Sequence, residues 1–300
     1  MMMLDKIKKH SYSEGKVKQR IFLSHGLHFG VCLFSLLTAI PLFAILITVI
    51  VKGAKYLTLT FISKPMPTSY DAMVAMNNNL PIDGGIVNGI IGTLLMLLLA
   101  CVVVIPVGIA TGVFLSERKT TKFAKIVSYL TDLLQGTPSI IVGIIVYAVI
   151  VIPMKGYSGL AGGIALMIIM LPLIIRSTEE ALNLLPKNLK EAALSLGSNY
   201  FRCVFHVLIP SAFGGIFTGI MLSISRAIGE TAPLTFTALG CAAIQWNIQK
   251  PMSAIPLLIW QFFNDPSLQS LIWAASLLLL IIVLIINISA KIISRKWKIS

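Results

Sequence analysis

Six long apolar runs, separated by short polar segments, set the pattern of this chain. Leu27–Val51, Ile86–Leu115, Leu133–Met154, Tyr157–Ile175, Cys203–Ser225 and Pro266–Ala290 contain no Asp, Glu, Lys or Arg. Each reaches or exceeds the roughly 18–20 residues that a helix needs to cross a bilayer. Inside lipid the backbone has to satisfy its own hydrogen bonds, so such runs are helices unless they close a barrel. A barrel needs short alternating strands, and these runs are long and uniformly apolar. The pattern predicts an all-α integral membrane protein with six transmembrane helices.

The polar segments divide it further. Residues 1–26 form a basic N-terminal segment predicted to be cytoplasmic. Residues 27–85 hold the first transmembrane helix and a loop. That loop, 52–85, contains Pro65, Pro67, Asn77, Asn78, Asn79, Pro81 and Gly84-Gly85, and predicts an extracytoplasmic connection rather than another helix. Residues 86–290 form the core, and 291–300 a second basic cytoplasmic tail. Within the core, the inner loop Ser116–Lys125 is short and basic, and the outer turn near Pro153–Ser158 is tight. Small residues four apart (Gly85/Gly89, Gly108/Gly112, Gly159/Gly163, Gly215/Gly219) predict close helix packing. Pro106, Pro138, Pro172 and Pro233 predict kinks or breaks. The stretch Thr231–Gln249 is uncharged and only moderately apolar. A seventh span there would place the basic tail outside. It is read instead as a continuation of the preceding helix that bends and re-enters.

Composition agrees. The 300 residues are 57% hydrophobic and 12% charged, with a mean hydropathy of +0.91, which is too apolar for a soluble domain of this size. The net charge of +13 invites a nucleic-acid reading, but its placement argues against one. Six of the 24 Lys and Arg lie in residues 1–20, four in 116–125, four in 176–206 and four in 291–300. Putting these groups on one side satisfies the positive-inside rule, with six spans and both termini cytoplasmic. The charge therefore reports topology and contact with anionic membrane lipid, and no nucleic acid is expected. Leu27–Val51 has no small-residue cleavage site after it and is read as a retained helix. Cys32, Cys101, Cys203 and Cys241 lack C-x-x-C spacing and are read as packing residues.

The chain lacks the motifs of several chemistries. It has no G-x4-G-K-[ST] phosphate loop, so it is not expected to bind ATP itself. It has no H-E-x-x-H motif. His25 and His28 share a helix face but have no carboxylate or thiol partner, so no metal site is expected. No catalytic residues are expected, and energy has to come from another subunit.

Charge inside a span is costly and marks candidate function. Arg176-Ser177-Thr178-Glu179-Glu180 lies at the inner end of the fourth span. Either carboxylate can pair with Arg176 at i+3 or i+4. Arg176 is equally readable as positive-inside decoration. Arg226 and Glu230 lie at i, i+4 in the fifth span. A rise of ~1.5 Å per residue puts Arg226 about 24 Å above Pro210. An arginine fork suits an oxyanion, because it stays charged and donates paired hydrogen bonds. The alternative is a closed structural pair of Arg226 and Glu230 that bonds two helices.

The polar segment between the fourth and fifth spans reads Glu191-Ala192-Ala193, three residues, Gly197, nine residues, then Val207-Leu208-Ile209-Pro210. This spacing resembles the E-A-A loop of ABC importer permeases, with Val207 and Ile209 as apolar-for-apolar replacements. The match narrows with Arg176–Leu182, Pro186 and Ser225-Arg226-Ala227-Ile228-Gly229-Glu230-Thr231-Ala232-Pro233-Leu234. Gly85–Asn88, Gly92-Thr93-Leu94 and Gly136-Thr137-Pro138-Ser139-Ile140 extend it. Over roughly residues 84–290 the chain is similar to the PstA-type permease subunits of phosphate-specific importers.

The resemblance implies a type I ABC importer permease fold and transport of inorganic phosphate by alternating access. It implies a homologous PstC-type permease as partner, an ATPase dimer that holds ATP and Mg, and an extracytoplasmic phosphate-binding protein. It assigns ATPase coupling to Glu191, Ala192, Ala193 and Gly197, and substrate-pathway roles to Arg176, Glu179 and Arg226, with Glu230 beside Arg226. The same fold serves sulfate, molybdate or phosphonate. An ATP-independent channel or carrier is the reading from another class, and the intact E-A-A loop weighs against it.

Overall fold

A computed structural model describes residues 14–78, 80 and 82–296. The first half of the basic N-terminal segment, Asn79 and Pro81 of the loop, and Lys298 of the tail lie outside the described residues. The described residues are helical and loop, with a single isolated bridge between Leu239 and Met252. The chain divides into two compact units, one up to Val51 and one from Lys52 on.

The first unit is most of α1 (Glu14–Tyr56). From Ile21 on it is almost uniformly apolar, with a mean hydropathy of 2.6 in its most apolar stretch, as expected of a helix that crosses hydrocarbon.

The second unit begins with the segment read as a plain loop. It contains two short helices, α2 (Leu59–Ser63) and α3 (Ser69–Asn77), capped by the hydroxyls of Thr58 and Thr68. The prolines hid them, because each helix starts after a Thr cap and fits between breakers. Phe61 of α2 is buried with Ile86, Phe262 and Leu268, so this segment packs on the core instead of hanging from it.

Next come α4 (Val87–Glu117), α5 (Lys122–Gly136) and α6 (Ser139–Val146). A π-helical turn (Tyr147–Val151) and α7 (Ile152–Met154) continue α6. The apolar run Leu133–Met154 is not one straight span. The chain bends by 104° between α5 and α6, where Pro138 holds an extended backbone that a helix cannot continue through. Among the described residues five helices are long and apolar enough to cross a membrane, and six if this bent pair counts as one span. Helix α5 has Phe123, Ile126, Tyr129, Leu130 and Leu133 exposed.

Helix α8 (Gly159–Asn183) returns. It is followed by α9 (Lys187–Ser195) and α10 (Tyr200–Cys203). From α10 a π-helical turn (Val204–Leu208) leads without a break into α11 (Ile209–Ile228). Pro153 and Pro210 both follow a π turn, where the widened backbone makes room for a ring that would otherwise meet the carbonyl four residues back.

The stretch Thr231–Gln249 is not a span. It is a short helix, α12 (Ala232–Thr237), then irregular chain. A short apolar helix, α13 (Ile255–Asn264), follows before the last span, α14 (Gln269–Lys296). The buried Asn88 side chain bonds this region together: it donates to the Cys241 carbonyl (2.8 Å) and accepts from Met66 N–H (3.2 Å). Thr93 accepts from Ile255 N–H at 3.0 Å. A Cβ at Gly92 would lie 1.9 Å from the Ser253 carbonyl. The Gly-Ile-Val-Asn and Gly-Thr-Leu pieces thus hold two loops against one helix.

Candidate functional site

Helix α8 carries the first charged cluster, and its neighbours are set by glycines. On one side a Cβ at Gly108 or Gly112 of α4 would come within 2.6 Å of Ile174 or Thr178. On the other, a Cβ at Gly215 or Gly219 of α11 would come within 2.6 Å of Ala181 or 1.9 Å of Ser177. Where lipid removes the hydrophobic drive between helices, such close backbone approach is what binds them. Both pairs serve as packing surfaces, and together they fix the register of α8 between α4 and α11.

That register places Arg176 against α5. Its Nη1 donates to Glu179 Oε2 at 2.6 Å and its Nε to Asp132 Oδ1 at 3.0 Å. Its Nη2 also reaches Asp132, together with the Ser128 carbonyl (2.9 Å) and hydroxyl (2.8 Å). The Arg176 and Glu179 side chains are only 18% and 16% exposed. Of the two carboxylates offered by sequence, Glu179 is the partner, and Glu180 points outward. Every nitrogen of the fork is engaged, and most of the partners lie on a second helix.

Arg226, near the end of α11, is placed differently. Its Nε donates to Glu230 Oε1 at 3.3 Å, a single long bond. Its side chain is 46% exposed, whereas that of Glu230 is 13% exposed. Among the described residues the two terminal nitrogens have no hydrogen-bond partner. Arg226 faces a narrow cleft, about 10 Å³, lined by Gln135, Thr137, Ser139 and Pro172 at the α5–α6 bend. The two arginines have separate partners and do not form one cluster.

The polar segment between α8 and α11 is a helical hairpin. Leu189 and Ala193 of α9 pack on the main core, while Glu191 and Ala192 face outward. Gly197 ends the helix with φ +82°, and nothing lies within 4 Å of where its Cβ would be. The turn therefore requires glycine for its left-handed backbone, and not because a neighbour crowds it. Leu196 before it and Phe201 and Phe205 after it are exposed. Phe201 and Phe205 line a surface hollow with Gly197, Asn199, Arg202 and His206.

Residues 104–299 match the family described as binding-protein-dependent transport system inner membrane component. The chain belongs to that family. Among curated relatives it is 39% identical, over 83% of its length and 86% of theirs, to the phosphate transport system permease protein PstA of Pasteurella multocida. It is 36% identical, over 85% and 84%, to the PstA protein of Yersinia pestis. Among solved structures it is similar to the inward-facing MetNI methionine ABC transporter. That match has a TM-score of 0.57 at 20% identity and covers 70% of this chain and 93% of that one. The fold is therefore the helical permease fold of ABC importers.

For this permease the sequence singled out Arg176, Glu179, Arg226, Glu230 and the E-A-A residues. It missed Asp132 and Ser128, which hold Arg176, and Glu117, which holds the loop. Ser128, Asp132 and Gln135 recur at i, i+4, i+7, a polar stripe on an amphipathic helix. That spacing is the signal that would have found them. No group of His, Cys, Asp or Glu with metal-site geometry occurs among the described residues.

Proposed function

We propose that this permease is the membrane subunit of an ATP-driven importer of inorganic phosphate and forms half of the pathway. The supporting observation is the exposed hairpin of α9 and α10, with its Glu191-Ala192-Ala193 helix, left-handed Gly197 and exposed Leu196, Phe201 and Phe205. A polar helix that ends in apolar side chains suits the groove of a second protein. That protein is an ATPase dimer, which binds ATP and Mg. A homologous permease supplies the other half of the pathway, and an external binding protein delivers phosphate. The hairpin and both termini lie on the cytoplasmic side, following the distribution of basic residues. Phosphate is favoured over other oxyanions by the relatives named above and by the Gly-Glu-Thr-Ala-Pro-Leu run at 229–234.

The mechanism follows from the parts. Closure of the ATPases draws the two hairpins together. The helices above them move with their hairpins, and the pathway opens outward. Arg226 offers its open fork to the arriving anion, and Glu230 holds the fork between visits.

Labelled phosphate uptake, in cells stripped of other phosphate carriers, is the test. The wild-type chain with its partners should restore uptake that excess unlabelled sulfate does not compete away. Gly197→Asp should be inserted at the wild-type level. Its uptake should fall about tenfold or more, because a side chain strains the φ +82° backbone and a new carboxylate enters the exposed turn of the hairpin. Normal uptake by that variant would remove the hairpin from the mechanism.

A further inference from the structure

We propose that Glu117 is the positioning residue through which the hairpin moves the membrane helices. This rests on the reading of α9 as the ATPase-docking helix. Glu117 is the last residue of α4, and its side chain is 13% exposed. Its carboxylate accepts a hydrogen bond from the ammonium of Lys190, the residue before Glu191. It also accepts a longer one, 3.4 Å, from the Tyr200 hydroxyl on α10. The Lys190 ammonium lies 5.6 Å from the centroid of the Tyr200 ring. One carboxylate therefore gathers both helices of the hairpin, one on each side of Gly197.

The neighbouring residue extends the link. The Ser116 hydroxyl donates to Asn183 Oδ1 at 3.0 Å, tying the end of α4 to the end of α8. From there the glycine contacts of Gly108 and Gly112 join α4 to α8 along their length. Arg176 on α8 then grips Asp132 on α5. A displacement of α9 thus has a continuous path of polar and close-packed contacts to three helices. The apolar contacts of Leu189 and Ala193 hold the hairpin on the bundle but are non-directional and permit sliding. A charge-assisted bond fixes direction and register. Tightly packed helices then pass the movement on, because they do not deform continuously.

The experiment uses the complete importer in proteoliposomes. It measures phosphate taken up per ATP hydrolysed, with subunit stoichiometry checked by co-purification. Glu117→Gln keeps the shape and removes the charge. The ATPase should still co-purify, while uptake per ATP falls about tenfold, the upper part of the range for a residue on a coupling route. Exchanging the pair (Glu117→Lys with Lys190→Glu) should recover at least half of that loss. Tyr200→Phe should cost about twofold, because it removes the weaker bond. If Glu117→Gln lowers the amount inserted, the ratio per inserted complex still decides. Wild-type uptake per ATP in Glu117→Gln would overturn the proposal, as would an exchange no better than the single changes. If Gly197→Asp uncouples while Glu117→Gln does not, the inference fails and the hairpin reading stands. If Gly197→Asp couples normally, the hairpin reading itself fails.

Discussion

Arg176 and Arg226 are the same residue type, each within a helix and each followed by a carboxylate one turn on. Their surroundings make them opposites. Arg176 donates from all three of its nitrogens, to Glu179, Asp132 and Ser128. Arg226 makes one bond of 3.3 Å and keeps the outer edge of its fork open. An arginine whose donors are all engaged holds helices together, and one whose fork is open is available to an anion. Spacing along the chain leaves both descriptions open for each residue. The count of engaged donors separates them: Arg176 fastens α8 to α5, and Arg226 is the better candidate for meeting substrate.

The largest effect should therefore come from Arg226. Arg226→Gln combined with Glu230→Gln leaves no lone charge, so a loss of uptake reports substrate contact and not a stranded carboxylate. Two lost charge-assisted bonds at about 1.5–3 kcal/mol each predict a loss of roughly 100-fold or more at an unchanged protein level. Arg226→Lys should lose about tenfold, because one ammonium cannot copy the paired donors. Uptake near wild type in the double variant would make Arg226 structural like Arg176 and erase the contrast.

Arg176 should show the reverse profile, with the amount of folded protein moving more than transport per molecule. Arg176→Ala leaves Glu179 largely buried and alone, a state that costs about 3–5 kcal/mol when burial is complete and less here. The amount of protein in the membrane should fall severalfold. Removing both charges, with Arg176→Met and Glu179→Leu, should restore most of it. A wild-type level of Arg176→Ala with no uptake would place Arg176 in the pathway beside Arg226.

The same contrast separates what the chain shows locally from what only folding brings together. The membrane helices, the glycine contacts and the turn at Gly197 each rest on local pattern, and all three are legible in the sequence. Pro138 announces a break, but the size of the bend is hidden, because both arms are apolar and Leu133–Met154 reads as a single run. Helix α5 is hidden because Lys122 and Lys125 make its first turn look like the end of a basic loop. The partners of the charged residues are hidden for a different reason. Glu179 lies three residues from Arg176, but Asp132 lies 44 away and Glu117 lies 73 from Lys190. Spacing on one helix cannot report a pair made between two.

The smallest effect belongs to Asp132, and it sharpens the account of the clamp. Its side chain is 62% exposed, whereas Arg176 is largely enclosed. An ion pair with one partner so open is worth about 0–1 kcal/mol. Asp132→Asn keeps an acceptor oxygen for the guanidinium, while Glu179 and both Ser128 contacts remain. The protein level should therefore fall by less than about threefold, and uptake per molecule should change by a similar factor. Because Asp132 sits on α5 just before the 104° bend, the change would fall on the hold between α5 and α8 rather than on Arg226. Combined with Arg176→Met and Glu179→Leu, Asp132→Asn should add nothing further, since its partner is already gone. Additive losses in that triple variant would mean that Asp132 acts on something other than Arg176, and the clamp would then consist of Glu179 and Ser128 alone.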